Sequence, residues 1–258
     1  MQSDQYQLHA DVEDRHWWFL GRREIVGRLL HRLIPPSVPA TVIDVGCGTG
    51  GNIAHFAQDY TCIGIDPSEE AIRLARNRYP DVRFILGSGV EIDACDDRTR
   101  VFLLMDVLEH VPDDAGFLSA LVNRLRPGDH LLLTVPADAS LWSEHDVSFG
   151  HYRRYDMARL EGVWSGLPVT TRMRSYFNAR LYPAVKLVRA LSRIRGRAWG
   201  KAGTDLRMPT PPINFLLKRI FAGEARRLVG LMEGRRARGY AFGVSLIALL
   251  RREKAEVS

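Results

Sequence analysis

Short apolar runs alternate with amphipathic segments between residues 41 and 137 of the chain. The runs are rich in β-branched residues, whereas the segments between them repeat apolar residues every three or four positions, as helices do. Strands are predicted at 41–45, 61–65, 82–86, 101–105 and 130–135, and helices at about 52–59, 69–79 and 114–126. This alternation predicts an α/β fold, in which a parallel sheet carries helices on both faces.

The first predicted strand ends in an acid and a glycine-rich turn, Asp44-Val45-Gly46-Cys47-Gly48-Thr49-Gly50-Gly51. Glycine adopts backbone angles that are closed to other residues and lets a ligand approach the main chain. Because a helix is predicted to start directly after the turn, its free N–H groups favour an anion there. The turn is therefore a candidate nucleotide-binding site.

Polar residues follow the other strands, at the sheet edge where ligands of such folds bind. Asp66 after the second strand can accept two hydrogen bonds from a ribose diol. It can also be a helix N-cap, with Pro67 in the first helical position and Glu69 closing a capping box, and both roles can hold at once. After the third strand, the turn 87–91 is small enough to lie against a flat ring.

The glycine spacing alone does not identify which nucleotide binds. Gly46, Gly48 and Gly51 satisfy the G-x-G-x-x-G pattern of dinucleotide sites, which is a weak signal by itself. Asp44, two residues before the first glycine, would repel a pyrophosphate and is better matched to a ligand with a cationic group. Gly50 also provides the alternative spacing G-x-G-x-G.

The first 40 residues are predicted to be a helical extension. Residues 14–33 carry an apolar face with interleaved arginines, and Pro35-Pro36 ends the pattern. Trp17 and Trp18 could pack this helix on the core, or Trp18 and Arg22 could wall a site for a flat, charged molecule.

The last third of the chain is basic. Residues 178–258 contain 18 Lys and Arg but 5 Asp and Glu, in a protein whose net charge is +6. Strands are predicted at 169–176 and 240–250, and amphipathic helices at 181–194 and 215–228, on either side of a proline-rich turn at 209–212. We interpret this insertion as a cap over an acceptor; the alternatives are a dimer interface, packing on the sheet edge or contact with a membrane surface.

Composition limits the class of protein. A chain of 258 residues with 46% hydrophobic residues can form a sizeable core. Cys47, Cys62 and Cys95 show no metal-ligand spacing and are expected to be reduced thiols. No signal pattern opens the sequence, and its longest apolar stretch is too short to span a bilayer. We therefore expect a soluble cytoplasmic protein.

Taken together, the motifs resemble those of class I S-adenosylmethionine-dependent methyltransferases. The resemblance covers residues 40–137 and rests on four segments: Ile43-Asp44-Val45-Gly46-Cys47-Gly48-Thr49-Gly50, Gly64-Ile65-Asp66, Asp106-Val107-Leu108-Glu109-His110 and Pro127-Gly128. It implies a Rossmann-like, seven-stranded, mostly parallel sheet with an antiparallel last strand. The N-terminal extension and a helical insertion between the last two strands would complete this fold. The flanks are similar to a bacterial branch that shares Trp17-Trp18-Phe19-Leu20-Gly21-Arg22-Arg23, His145-Asp146, Gly150-His151-Tyr152-Arg153-Arg154-Tyr155, Pro212-Ile213-Asn214 and Gly243-Val244-Ser245-Leu246.

The resemblance also implies how S-adenosylmethionine would bind. The glycine turn would contact its methionine part, Asp66 its ribose and Ser88–Val90 its adenine, while Asp106 would lie beneath the sulfonium. Ser88 stands where many members have an Asp. The residues expected to contact this cofactor are Trp18, Arg22, Asp44, Gly46, Cys47, Gly48, Asp66, Pro67, Ser88, Gly89, Val90, Asp106, Val107 and His110. No metal is expected.

Histidines after the fourth and fifth strands are candidates for a general base. His110 is expected to face the cofactor or cap a turn, which leaves His145 and His151 as candidate bases for an acceptor hydroxyl. Expected acceptor contacts are Trp142, Arg154, Tyr155, Tyr176 and Asn178. In the alternative, the loop is structural: Asp146 pairs with Arg153 or Arg154 and the tyrosines pack.

The sequence thus favours a methyltransferase acting on a small molecule, anionic or lipid-like, with oxygen as the acceptor atom. The competing hypotheses are an RNA methyltransferase that uses the basic third, a non-catalytic ligand-binding protein and a nicotinamide oxidoreductase. A stable nucleic-acid partner is not expected, whereas a homodimer is possible. One domain is predicted, divided into an extension (1–40), a cofactor-binding core (41–177), a helical cap (178–239) and a last strand with its tail (240–258).

Overall fold

The computed structural model describes residues 3–91, 98–195 and 207–254. Within these ranges, seven strands form one sheet in the order β3-β2-β1-β4-β5-β7-β6. The strands are β1 (Ala40–Val45), β2 (Thr61–Asp66), β3 (Arg83–Leu86), β4 (Thr99–Met105), β5 (His130–Pro136), β6 (Val169–Phe177) and β7 (Ser245–Arg252). Neighbouring strands from β3 to β5 are parallel, and β7 runs antiparallel to both β5 and β6. The predicted sheet is confirmed.

Helices cover the sheet and precede it. They are α1 (Ser3–Val12), α2 (Trp17–Leu33), α3 (Gly51–Phe56), α4 (Glu69–Arg78), α5 (Asp114–Val122), α6 (Glu144–Ser148), α7 (Met157–Val163), α8 (Tyr182–Arg195), α9 (Pro211–Ala222) and α10 (Ala225–Met232). The last three lie between β6 and β7 in the chain, as the predicted insertion requires.

Two buried clusters form the core because strand residues point alternately to opposite faces. Val42 faces the cluster that includes residues of α2, α3, α9 and α10. Its neighbour Ile43 faces the second cluster, which includes residues of α5 and α7. The carboxyl ends of the parallel strands therefore share one edge of the sheet. At β1, which lies between β2 and β4, the strand order reverses and leaves a crevice.

Three predicted boundaries are wrong. The helix expected over residues 14–33 is α2, which begins at Trp17, and α1 precedes it within the predicted helical extension. Pro211 and Pro212 are the first residues of α9, where a missing N–H costs no hydrogen bond, so the expected proline turn is shorter. β7 begins at Ser245 because its partners β5 and β6 end opposite that residue, at Pro136 and Phe177.

The cysteine prediction is tested at two positions. Cys47 and Cys62 are buried and free of disulfide bonds. Cys95 lies outside the described residues. In the described part of the chain, no helix combines the length and the apolar character needed to cross a bilayer.

Candidate active site

The glycine turn after β1 folds over the end of β2. The backbone N–H groups of Gly46 and Cys47 both donate to the carbonyl of Ile65, at 2.8 and 2.9 Å. Gly46 has φ +76°, and a Cβ there would collide with the side chain of Val107. Gly48 has φ +54°, but a Cβ there would meet nothing within 4 Å. One side of the turn is therefore packed and the other is open to a ligand.

Asp44 at the end of β1 is a buried acid without a partner. Only 1% of the residue is exposed, and neither carboxylate oxygen has a hydrogen-bond partner. Burial raises its pKa to about 7, although the positive charge of Arg22 acts in the opposite direction. An unpaired buried carboxylate is costly, so this position suits a ligand that brings a cationic group.

Asp66 joins the glycine turn to the start of α4. Its Oδ2 accepts from the N–H of Gly48 and its Oδ1 from the N–H of Ser68, both at 2.9 Å. Burial outweighs these bonds and raises the pKa of Asp66. The N-cap of α4 is Ser68, so the alternative roles of Asp66 as N-cap and Pro67 as first helical residue are wrong. Pro67 is exposed and forms a bend between Asp66 and Ser68.

The turn after β3 packs against the end of β1. Val90 packs on the second core cluster, and a Cβ at Gly89 would press on the side chain of Val45. The hydroxyl of Ser88 is buried without a hydrogen-bond partner. Like Asp44, Ser88 is thus a polar group left unsatisfied near the crevice. Both observations, with the open side of Gly48, fit the expected nucleotide cofactor.

Asp106 after β4 is held in a left-handed conformation, with φ +57°. Its carboxylate forms an ion pair with Arg22 and accepts a hydrogen bond from the hydroxyl of Thr134 at 3.2 Å. The Arg22 guanidinium stacks on the ring of Trp18, 4.3 Å from its centroid. The structure therefore brings Trp18 and Arg22 of α2 to the end of β4, next to Val107.

The loop between β5 and β6 is organised around Asp146, which is completely buried. Its Oδ1 is 3.0 Å from Nδ1 of His151 and accepts from Nε of Arg154 at 2.8 Å. Its Oδ2 accepts from the N–H of Ser143 at 2.9 Å. Burial alone would raise the pKa of Asp146, but the bonds from His151 and Arg154 hold it well below its ordinary value.

The expected acceptor contacts of Arg154 and Tyr155 are wrong. Arg154 is buried between Asp146 and the carbonyl of Ala137, 2.9 Å away. Tyr155 is completely buried, and its hydroxyl donates to Asp114 at 2.7 Å. Both side chains therefore stabilise the loop through internal hydrogen bonds, in agreement with the alternative in which this loop is structural.

The histidines of this loop lie together with His110. The rings of His110 and His151 are edge-to-face, with centroids 4.7 Å apart, and the His145 ring is 6.2 Å from that of His151. Burial, reinforced by His151, lowers the pKa of His110 to about 3. Burial, reinforced by Arg189, also lowers the pKa of His145 well below its ordinary value. The imidazoles of His110 and His145 are therefore neutral at neutral pH.

The remaining predicted acceptor contacts occupy different environments. Trp142 is half-buried in the loop that holds His145. Tyr176 is half-buried near the end of β6 and pairs with Tyr240 in an isolated bridge. Asn178, just beyond β6, is buried at φ +53°, and its Oδ1 has no hydrogen-bond partner.

Sequence reasoning missed the residues by which α1 lies over the crevice. Tyr6 hydrogen-bonds with Ser68, and the ring of His9 lies 5.1 Å from that of Phe149. Directly after the helix, Glu13 accepts a hydrogen bond from the hydroxyl of Thr49 at 2.7 Å. It also forms an ion pair with Arg78. No local pattern marks these polar residues, because their partners are distant in the chain.

Comparisons with known proteins agree with this architecture. A sequence model of the family described as "Methyltransferase domain" matches residues 18–182. The chain is 33% identical over 158 residues to a trans-aconitate 2-methyltransferase of Deinococcus radiodurans, an alignment covering 56% of the chain and 60% of that protein. It is 32% identical over 154 residues to a probable S-adenosylmethionine-dependent methyltransferase of Mycolicibacterium smegmatis, covering 58% of each. The chain thus spans little more than half the length of these relatives.

Solved structures share the fold over nearly the whole chain. The plantazolicin methyltransferase BpumL, in complex with a monoazolic desmethylPZN analog and SAH, has a TM-score of 0.57 at 14% identity, covering 97% of this chain and 90% of its own. A methyltransferase in complex with its activator from Haloferax volcanii has a TM-score of 0.56 at 16% identity, covering 99% and 96%. The match to the family model and the strand order agree, and the chain belongs to the class I S-adenosylmethionine-dependent methyltransferases.

Proposed function

We propose that this protein transfers the methyl group of S-adenosylmethionine to a small-molecule acceptor, and that the acceptor atom is oxygen. The observation that carries the proposal is the unpaired, buried carboxylate of Asp44 beside the open face of the glycine turn. A cofactor with cationic groups would compensate this charge, whereas the pyrophosphate of a dinucleotide would not.

The cofactor contacts proposed from the sequence are compatible with the observed positions. Gly46, Cys47 and Gly48 would line the methionine part of the cofactor, and Asp66 would bind its ribose. The unsatisfied hydroxyl of Ser88, in the turn that continues to Val90, would face the adenine. Asp106 and Val107 would form the floor of the site. When bound, S-adenosylmethionine supplies an activated methyl group, so the protein's main task is to align the acceptor with it.

Two histidines of the loop after β5 are proposed to handle the acceptor proton. A hydroxyl that attacks a methyl group loses its proton as the new O–C bond forms, and a neutral imidazole accepts that proton. The rings of His145 and His151 lie 6.2 Å apart near the end of β4, and Asp146 fixes the orientation of the His151 ring. Replacing each by Ala in turn would identify the base by a loss in kcat.

The insertion between β6 and β7 is proposed to cap the acceptor. Its first helix, α8, is tied to the loop after β5. The hydroxyl of Tyr182 donates to Asp138 at 2.6 Å, and Arg189 donates to the carbonyl of Leu141 at 2.6 Å. The proposed cap therefore adjoins the loop with the candidate bases. A small-molecule acceptor is also supported by the relatives' names, which include a 2-methyl-6-phytyl-1,4-hydroquinone methyltransferase of Synechocystis.

Calorimetric titration with S-adenosylmethionine and S-adenosylhomocysteine tests the proposal. We expect binding to the wild type and at least tenfold weaker binding to Asp66→Ala. Asp59→Ala is the matched control, since Asp59 pairs with His31 on the surface. Absence of binding to the wild type, equal binding to Asp66→Ala, or tighter binding of a nicotinamide dinucleotide would overturn the proposal.

A further inference from the structure

Three potential metal ligands converge beyond the end of β4. Glu109, His110 and His151 each place one donor atom so that all three atoms lie within 4.8 Å of one another. Two ligands of one cation, each about 2.1 Å from it, are at most about 4.2 Å apart. Small side-chain rotations would therefore be enough to bring all three into one coordination sphere.

Glu109 has an unsatisfied carboxylate oxygen inside the protein. The residue is 1% exposed, and its Oε2 is buried without a hydrogen-bond partner. A buried carboxylate of this kind is costly unless a cation compensates it. The nearby cations Arg22 and Arg154 form ion pairs with Asp106 and Asp146 instead.

Each of the two histidine rings is oriented by a hydrogen-bond partner. Nδ1 of His151 lies 3.0 Å from Asp146, which leaves Nε2 with a free lone pair in the corresponding tautomer. The ring of His110 has the backbone of Phe149 as its hydrogen-bond partner. Metal-binding histidines are usually fixed in this way by a carboxylate or a backbone carbonyl.

We propose that Glu109, His110 and His151 bind one divalent transition-metal cation, with Zn²⁺ the best match to two imidazoles and a carboxylate. This is the donor set of zinc sites that keep a coordination position open for a substrate. No ligand spacing in the sequence indicates the site, because His151 reaches it from a loop 41 positions beyond His110.

The role of the cation, though not its binding, rests on the proposed function. Its open position would hold the acceptor's hydroxyl oxygen and lower the pKa of that hydroxyl. His151 is then a ligand, which leaves His145 to accept the proton. The O–CH₃ bond forms while the S–CH₃ bond of the cofactor breaks, and the sulfonium leaves as a neutral thioether.

Calorimetric titration of the chelator-treated 258-residue chain with Zn²⁺ tests the site. We expect one equivalent to bind the wild type, and at least tenfold weaker binding to Glu109→Gln, His110→Ala and His151→Ala. His31→Ala is the matched control, since His31 is an exposed histidine paired with Asp59. Co²⁺ provides a second readout, because coordination by His110 and His151 would change its visible absorption in the wild type and in His31→Ala, but not in the three site variants.

S-adenosylhomocysteine binding, measured on the same samples, separates the possible failures. A variant that no longer binds Zn²⁺ but still binds S-adenosylhomocysteine is folded, and its loss of Zn²⁺ binding supports the metal site. If the wild type binds S-adenosylhomocysteine but not Zn²⁺, or if the three variants bind Zn²⁺ as well as His31→Ala does, the metal site is refuted and the proposed function stands. If Zn²⁺ binds but S-adenosylhomocysteine does not, the proposed function fails and the metal site stands.

Discussion

Asp44 combines a position in the proposed cofactor site with a cost in stability. The unfolded chain releases the Asp44 proton near pH 3.8, whereas the folded protein keeps it up to a pH of about 7. The folded state therefore binds more protons over this range, and stability falls as the pH rises from about 4 to 7. The contribution of the protonated Asp44 to the free energy of unfolding is fully present below pH 4 and is lost above pH 7.

Asp44→Asn should consequently stabilise the protein at pH 7 and weaken the binding of the cofactor. We expect a gain on the order of 2–4 kcal/mol in the free energy of unfolding, because no buried carboxylate has to ionise. Urea unfolding at pH 4, 5.5 and 7 would show that the gain grows with pH. The affinity for S-adenosylmethionine should fall in the same variant. A loss of stability at pH 7 with unchanged affinity would contradict both statements.

Gly48 and Gly128 form a matched pair for testing the open face of the glycine turn. Both have positive φ, and a Cβ at either meets nothing within 4 Å. Substitution by Ala should therefore cost each about 1–2 kcal/mol of stability. Only Gly48→Ala should also weaken S-adenosylhomocysteine binding, by at least about tenfold, since its methyl group would occupy the ligand's space. Calorimetry on the two variants makes the comparison, and equal affinities would mean that the ligand does not lie against Gly48.

At the scale of elements, ion pairs of Glu13 help to hold α1 over the crevice. Glu13, directly after the helix, is 4% exposed and binds Thr49, Arg78 and Arg23. The pattern of residues 1–14 gave no reason to expect this, because a polar segment looks the same whether it is solvated or paired with distant arginines. Its position is thus a tertiary property, fixed by arginines on α2 and α4.

Glu13→Gln should loosen this anchor. Breaking a buried ion pair leaves its arginines uncompensated, so we expect a loss of about 2–4 kcal/mol in the free energy of unfolding. Dissociation of S-adenosylhomocysteine should also become faster, as measured by stopped-flow competition. The control is Glu24→Gln, whose partly exposed pairs with Arg28 and Lys218 should contribute less than about 0.5 kcal/mol. Equal effects of the two substitutions would argue against an anchoring role for Glu13.

The loop after β5 shows why polar density is an ambiguous signal. Its His, Asp, Arg and Tyr residues were expected to face an acceptor, yet Arg154 and Tyr155 are buried supports. A short segment with one buried carboxylate, Asp146, needs several donors to satisfy it, and these come from its own neighbours. Composition alone does not distinguish such internal partners from groups that bind a ligand.

At the scale of the whole molecule, the basic third of the chain supplies many internal hydrogen bonds. Arg180, Arg227 and Arg252 donate to the carbonyls of Ile220, Gly239 and Pro168, at 3.3, 2.9 and 3.0 Å. The outer surface of α8 exposes Leu187, Val188 and Leu191. Phosphate recognition needs cations that are free of other partners, whereas these three arginines donate to carbonyl groups of the protein.

We therefore expect no stable complex with RNA. A gel-shift titration with single-stranded and hairpin RNA at about 0.15 M salt, close to physiological ionic strength, should show no retarded band at micromolar protein. A known RNA-binding domain of similar net charge provides the positive control. A band that weakens steeply as salt is raised would favour the alternative of an RNA methyltransferase.

The sequence alone was sufficient for the sheet, the strand that carries the glycine turn and the family. The pattern of apolar residues is local and has a fixed period, so β1 through β6 were located to within two residues. The predicted starts of β7 and α9 were wrong. The pairing of Ser245 with Pro136 decides where β7 begins, and the packing of the insertion decides where α9 begins.

Only the tertiary structure decided which polar groups remain unsatisfied. Asp44, Ser88 and Glu109 each lie in a short motif, but their lack of partners depends on burial by distant segments. The convergence of Glu109, His110 and His151 likewise requires the loop after β5 to fold back on β4. The sequence determined the fold and the cofactor class, since both are written in local periodicity and turn chemistry. The candidate chemistry at the acceptor depends on contacts between residues far apart in the chain.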